Sequence, residues 1–272
     1  MWSVTVTLVY SASLGPESSP AAAREAFRSG LVRPTAGIAH GYVQCNLLAL
    51  PQEDAFDFLL FAQRNPKSCP IVEVLDAGEL NSPIMPQGDI SRDLPSYRIF
   101  EHGQMVKEVA DASSYWRNDL VAFLIGCSFT FESALLDAGL HVAHIQQGRN
   151  VPMYRTNVAT RQAGKFSGPM VVSMRPFAPG QIADAARITA RFPGMHGAPV
   201  HVGDPAALGI ADLSRPDFGE AVDIAPGEVP VFWGCGVTPQ AVVMDSAPDF
   251  AISHSPGHML ITDAPNSAFQ VP

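Results

Sequence analysis

The sequence predicts an α/β protein built on a mostly parallel sheet, and three observations carry that prediction. Short apolar runs alternate with amphipathic segments of 10–14 residues from about residue 113 onward. That alternation is the pattern of βαβ units. Gly and Pro, 22 and 24 in number, mark the ends of most runs, so connections are short and turns many. Hydrophobic residues make up 47% of the 272, enough to core one large domain or two smaller ones.

The elements follow in order. AAAREAFRSG (21–30) is a helix stopped by Gly30, and YVQCNLLAL runs from a Pro/Gly-rich loop toward Pro51. PQEDAFDFLLFAQRNP (51–66) places proline in the first turn, acids next, and Phe58, Leu59 and Ala62 at helical spacing. CPIVEVLDAG is a short strand, and YRIFEHGQMVKEV, with glycine between two apolar runs, a β-hairpin. SSYWRNDLVAFLIG reads as helical, and FTFESALLDAG as a second helix ending at Gly139. HVAHI leads into a loop, NVPMYRTN. GPMVVSMRPF is a strand, PGQIADAARITARF a proline-started helix, APVHVGDP and VPVFWGCG strands, and TPQAVVMDSAP a helix. DFAISHSPGHMLITD (249–263) is a strand, a Pro-Gly turn and a second strand.

Lys+Arg 17 against Asp+Glu 26 gives a net charge of -9, which argues against nucleic acid or an anionic membrane as partner. A small acidic substrate is not excluded, because a pocket's local charge can oppose the global one. No apolar run approaches the length of a membrane span. Cys45, Cys69, Cys127 and Cys235 are widely spaced, which favours free thiols in a reducing, cytoplasmic compartment. MWSVTVTLVYSASLGPESSP faintly resembles a secretory signal but has no Lys or Arg ahead of its apolar part, so residues 1–20 are read as a tail.

Ligands of α/β sheets gather outside strand ends. That rule selects Arg175 in SMRPF, Asp204 in HVGDP, and Cys235 between Gly234 and Gly236, a turn whose N–H groups suit an oxyanion. Cys127 stands before the FTFE helix start, with Glu132 in its first turn; the competing reading of either thiol is a small buried hydrophobe. Tyr154, Arg155 and Asn157, beside Arg149 and Asn150, form a polar loop suited to a small acid, or a plain solvated surface. There is no GxGxxG, GKS or GKT, so no nucleotide cofactor is expected.

His254 and His258 sit four apart, a spacing that suggests a metal. Pro256 and Gly257 oppose the helix that would align them. An extended chain separates them by about 13 Å. A two-residue turn sends them to opposite faces. No metal site is expected, and His254 alone is the candidate for acid/base work, with a core histidine bonded to backbone as the alternative.

PTAGIAHGYVQCNL, LIGCSFTFESALLDAG, NVPMYRTN, GPMVVSMRP, VFWGCGVTPQ and SHSPGHMLITD, in this order, resemble the hydro-lyase family that includes the D-glutamate cyclase domain of animal mitochondria. The resemblance spans about residues 21–265, with departures at His40 and LVRPT that touch none of the polar blocks. It implies a three-layer α/β domain with a mostly parallel or mixed sheet plus a smaller two-layer one, a carbon–oxygen lyase activity without cofactor, and closure of D-glutamate to 5-oxo-D-proline. The division expected is 21–112 and 113–272, with the second part carrying most site candidates and the two domains allowed to interleave. A homodimer is compatible with all of this.

Lactam formation needs an anchor for the α-carboxylate, a base for the ammonium, donors for the oxyanion and an acid for the departing water. The expected roles are anchoring by Arg155 and Arg175 with Tyr154 and Asn157, oxyanion donation by Gly234–Gly236, and proton transfer by His254 with Asp204 or Glu132. A covalent variant uses Cys127 or Cys235 as nucleophile. A lyase or hydratase for another small carboxylic acid, and a non-catalytic carboxylate binder or enzyme subunit, are the alternatives.

Overall fold

The computed structural model describes residues 14–272, so residues 1–13 of the expected tail lie outside it. Two sheets organise the chain. The larger has seven strands in the order β2-β5-β1-β10-β3-β4, with β11 also on β1. These are β1 (Tyr42–Pro51), β2 (Ile71–Leu75), β3 (Tyr97–Glu101), β4 (Gln104–Val109), β5 (Leu120–Gly126), β10 (Phe250–His254) and β11 (Leu260–Pro265). The smaller runs β6-β7-β9-β8, from β6 (Met153–Ala159), β7 (Pro169–Phe177), β8 (His201–Val202) and β9 (Val229–Gly234). Residues 153–234 thus form the smaller sheet between two visits of the chain to the larger one.

Every strand pair within both sheets is antiparallel, which corrects the expectation of a mostly parallel sheet. The first crossover shows why the alternation misled. Helix α2 (Gln52–Arg64) joins β1 to β2, and those two strands do run the same way. A third strand, β5, is inserted between them and pairs antiparallel with both. Helix α5 (Ile182–Ala190) repeats this in the smaller sheet, joining β7 to β8 with β9 between them. The remaining helical connections change sheets: α3 (Phe129–Asp137) and α4 (Ala143–Gln146) carry the chain from β5 to β6, and α6 (Thr238–Ser246) carries it from β9 to β10. Helix–strand alternation alone does not say which sheet the next strand joins.

Two local readings also change. SSYWRNDLVAFLIG is a single 3-10 turn at Ser113–Tyr115 followed by β5, not a helix. A short apolar run with both faces buried carries no period that separates helix from strand. NVPMYRTN is not a loop, since its second half enters β6.

The pleat of β1 shows how the larger sheet is cored. Val43, Cys45, Leu47 and Ala49 join a cluster with Phe131, Phe177 and Trp233. Leu48 and Leu50 point the other way, into Phe58, Phe61, Phe123 and Phe166. Helices α3 and α5 (Ile182–Ala190) supply Leu135, Ala185 and Ile188 to the first cluster, and α2 and α6 line the second. Helix α1 (Pro20–Arg28), capped by Ser19, packs beside β11, where Arg24 donates to the Ile261 carbonyl at 2.9 Å. No helix of the described residues is long and apolar enough to cross a membrane.

The HSPGH segment turns, though not into a hairpin. His258 donates its N–H to the Ser255 carbonyl at 2.9 Å, and Gly257 has φ +83° at the third position. That is the type II pattern. Yet β10 and β11 do not pair with each other; both lie along the same edge of β1 and run in the same direction. Ala49 stands opposite Ile252 and Cys45 opposite Leu260, so four residues are looped out of an otherwise continuing strand. This excursion carries His258 away from the sheet.

Candidate active site

Of the residues expected to act, Arg175 and Glu132 do meet, deep between the sheets. Arg175 is fully buried in β7, and its Nε donates to Glu132 Oε1 at 2.9 Å. Its Nη2 donates to the same oxygen and to Ser128 Oγ, its Nη1 to Ser173 Oγ, and its plane lies 5.4 and 5.5 Å from the Phe131 and Trp233 rings. All three guanidinium nitrogens are engaged. The pair braces α3 against β7. Burial pushes the Glu132 pKa up, but His144 and Arg175 outweigh it and hold the carboxyl below its ordinary range.

Cys127 and Cys235 share one apolar cluster with Phe129, Val171 and Met259. Burial raises both thiols, Cys235 to about 11 and Cys127 well above its usual value. A buried thiol of that kind is a poor nucleophile. The Gly234–Gly236 turn is packed solid. A Cβ on Gly234 would stand 2.4 Å from the Lys67 carbonyl oxygen, one on Gly236 would stand 2.0 Å from Asn46 Nδ2, and the Cys235 N–H is spent on Val171.

The other expected residues are dispersed. Arg155 is ion-paired with Asp245 at 2.8 Å, and the Tyr154 hydroxyl donates to the Leu213 carbonyl at 2.7 Å. Asn157 is exposed beside Gly209. Asp204 is exposed and caps the turn at Pro205–Leu208 through Ala206 N–H. His254 is buried, its Nδ1 lying 3.1 Å from the Leu47 carbonyl oxygen, and Gln240 donates to its own carbonyl at 2.7 Å. Burial lowers the His254 pKa to about 3, so the ring is a neutral core group at physiological pH.

A different set of residues forms an open cleft of about 410 Å³ at the seam between the two sheets. Arg98 comes from β3, Glu108 from β4, and Ser255, Pro256 and His258 from the looped-out segment. Asn150 arrives on the approach to β6, and Asp217 to Glu220 on a segment that bridges to β6 through Met153 and Phe218. The volume suits a small polar metabolite.

Each wall is held by hydrogen bonds that leave specific atoms free. Arg98 Nε donates to Glu108 Oε2 at 3.1 Å, and its two Nη atoms have no hydrogen-bond partner among the described residues. Ser96 ties that wall to the turn, at 3.2 Å from Glu108 Oε1 and 2.8 Å from Ser255 Oγ. Asn150 donates its backbone N–H to Glu220 at 2.8 Å and its Nδ2 to the Pro256 carbonyl at 3.0 Å. Its Oδ1 is buried without a partner among the described residues. His258 Nδ1 lies 3.0 Å from the Pro256 carbonyl oxygen. A carbonyl can only accept, so the proton sits on Nδ1 and Nε2 keeps its lone pair. Burial, partly opposed by the Pro256 carbonyl, lowers the His258 pKa and keeps the ring neutral.

Chemically the cleft offers one guanidinium for a carboxylate, an amide oxygen with two carboxylates for an ammonium, and a neutral imidazole for a proton. Carboxylates outnumber the guanidinium three to one along its lining, so the ammonium end of a ligand is drawn most strongly. Among the described residues no group of three His, Cys, Asp or Glu side chains gathers closely enough to hold a metal ion.

Sequence reasoning named Asn150 only as part of a polar loop and favoured His254 over His258. Arg98 and Glu108 face each other across the YRIFEHGQMVKEV hairpin, a cross-strand pairing that its HG turn could have revealed. The Asp217–Glu220 segment carried no usable signal, because its place depends on how it docks on β6.

Residues 121–263 match a family model described as D-glutamate cyclase. A "Putative hydro-lyase" of Corynebacterium urealyticum is 62% identical over 94% of this chain and 98% of its own length. Proteins of the same name from Saccharopolyspora erythraea and Cupriavidus necator are 61% and 59% identical, covering 93% and 92% of this chain and 100% and 93% of theirs. Among solved structures, a nitrogen repressor-like protein from Methanococcus jannaschii aligns over 86% of this chain and 91% of its own, at 9% identity and a TM-score of 0.34, too distant to guide fold or function.

Proposed function

The chain belongs to the hydro-lyase family that carries the D-glutamate cyclase domain, and from that premise we propose that it closes D-glutamate to 5-oxo-D-proline with loss of water. The observation that supports this reading best is Asn150 Oδ1, a buried acceptor without a partner among the described residues, in a cleft that also holds Arg98 and His258. An acceptor of that kind calls for an N–H donor, which a substrate ammonium supplies.

In this reading the Arg98 Nη atoms hold the α-carboxylate, while Asn150 Oδ1 and Glu220 receive the ammonium. His258 Nε2 takes a proton from the ammonium and frees the nitrogen lone pair for attack on the γ-carboxyl carbon. The imidazolium returns that proton to the departing oxygen. Nitrogen loses two protons in all, both leave with the γ-oxygen as water, and the enzyme ends as it began. Holding amine and carboxyl together supplies much of the acceleration, because the reaction is intramolecular. None of these steps calls for a cofactor.

The test is to incubate the purified chain with D-glutamate, L-glutamate and other small amino and hydroxy acids, following lactam and alkene products by NMR. Lactam from D-glutamate, with a raised KM in Arg98→Met, is the expected result. Alkene from a hydroxy acid would assign the cleft to a different lyase. Saturable binding of D-glutamate without any product would make the chain a binder rather than an enzyme.

A further inference from the structure

A second polar concavity, separate from the cleft, lies where the 37–44 segment crosses the first turns of α3. It is a cavity of about 20 Å³, the room taken by one water-sized particle. Gln44, Glu132 and Asn266 all line it. Each has a side-chain oxygen that is buried without a hydrogen-bond partner among the described residues: Gln44 Oε1, Glu132 Oε2 and Asn266 Oδ1. The three residues are 3%, 2% and 8% exposed, so bulk water does not serve them.

The amide orientations are fixed by what their nitrogens do. Gln44 Nε2 donates to the Thr35 and Ile38 carbonyls, both at 3.1 Å. Asn266 Nδ2 donates to the Thr130 carbonyl at 2.8 Å and to Ser133 Oγ at 2.9 Å, while the Ser133 hydroxyl donates to Thr130 at 3.2 Å. Turning either amide over would set oxygen against carbonyl oxygen. Three acceptors therefore remain, one of them a carboxylate, and no protein donor answers them.

We propose that this cavity is a monovalent-cation site, for an ion of the ammonium or potassium class, held by Gln44 Oε1, Glu132 Oε2 and Asn266 Oδ1. A single water has two hydrogens for three acceptors. A divalent ion suits the place poorly, because Arg175 already engages the other Glu132 oxygen and leaves less than one full negative charge. Amide and carboxylate oxygens are hard ligands, the kind such ions take. The site stands independently of the reaction proposed for the cleft, since it shares no lining residue with it.

The experiment uses the whole chain and two readouts. Thermal midpoints are compared in potassium, ammonium, lithium and tetramethylammonium chlorides at equal ionic strength, and crystals are soaked in thallium(I) for anomalous diffraction. The expected result is an anomalous peak among the three oxygens, with a midpoint that climbs and saturates in potassium or ammonium only; whichever saturates at lower concentration identifies the preferred ion. Asn266→Leu loses the saturable rise; should it fail to fold, the salt series and the thallium peak of the unaltered chain still decide. An ordered water only, with no thallium peak and identical midpoints in all four salts, overturns the proposal.

Discussion

Replacing Gly257 with alanine tests the turn that organises the cleft. The backbone there has φ +83°, and an ideal Cβ would stand 2.1 Å from Asn150 Oδ1, 2.4 Å from Nδ2 and 2.5 Å from Cγ. Left-handed backbone in a residue bearing a Cβ costs roughly 1–2 kcal/mol. The collision adds a second loss, because Asn150 must abandon its 3.0 Å bond to the Pro256 carbonyl. A hydrogen bond of this kind contributes about 1 kcal/mol, and an orphaned partner raises the loss to as much as ~3. The total is roughly 2–5 kcal/mol. Gly227→Ala is the control: φ is +87°, but nothing lies within 4 Å of its would-be Cβ, so it carries the strain alone. At about 2–4 °C per kcal/mol for a chain of this size, Gly257→Ala should melt some 2–12 °C below Gly227→Ala. It alone should lose activity, since it moves Asn150, the residue that receives the ammonium in the proposed reaction. Calorimetry and lactam assays read the two effects. Equal melting temperatures and full activity for both variants would refute the geometry of the turn.

Three further outcomes are expected. His258→Gln should lower kcat roughly 10²–10⁴-fold; because burial lowers its pKa, the wild type should also keep activity below pH 6.5, a limb that the variant's residual rate does not follow. Cys127→Ala combined with Cys235→Ala should leave turnover intact, and a loss of burst or turnover would restore the covalent route. His254 and His196 are neutral in the fold, with pKa values lowered by burial to about 3 and about 4. Their unfolded forms protonate near pH 6.5, so the stability they confer is complete above that pH and is lost as pH falls toward the folded values. Urea unfolding at pH 5 should show roughly 2–4 kcal/mol less stability than at pH 7, and equal midpoints would contradict their burial.

What the sequence made legible was local. Helices opened by Pro51 and Pro179, the hairpin around Gly103 and the turn at Pro256–Gly257 all come from near-neighbour chemistry. Strand direction was hidden, because β5 slots between β1 and β2 although its residues lie 47–54 positions beyond their β2 partners and 69–81 beyond their β1 partners. The strand-end rule failed to gather Arg175, Asp204 and Cys235 into one pocket for the same reason, since it presumes a parallel sheet whose strand ends all open on one side. Arg175 and Glu132 were selected as chemical groups, and they meet in an interior brace instead of at a pocket wall. Choosing between His254 and His258 required knowing which one the looped-out residues expose, and that depends on a register only the folded sheet defines.

Strand β10 lies between β1 and β3, in the middle of the larger sheet, although it is the tenth of eleven strands along the chain. During synthesis, the β1–β5–β2 group and the β3–β4 hairpin therefore wait with bare edges until residues 250–254 have emerged. Unpaired edges of that kind invite pairing with other nascent chains. A stop codon a short way before residue 250 would split the sheet in two instead of trimming its rim. The yield of folded protein should accordingly fall abruptly, not gradually, as truncations cross that strand.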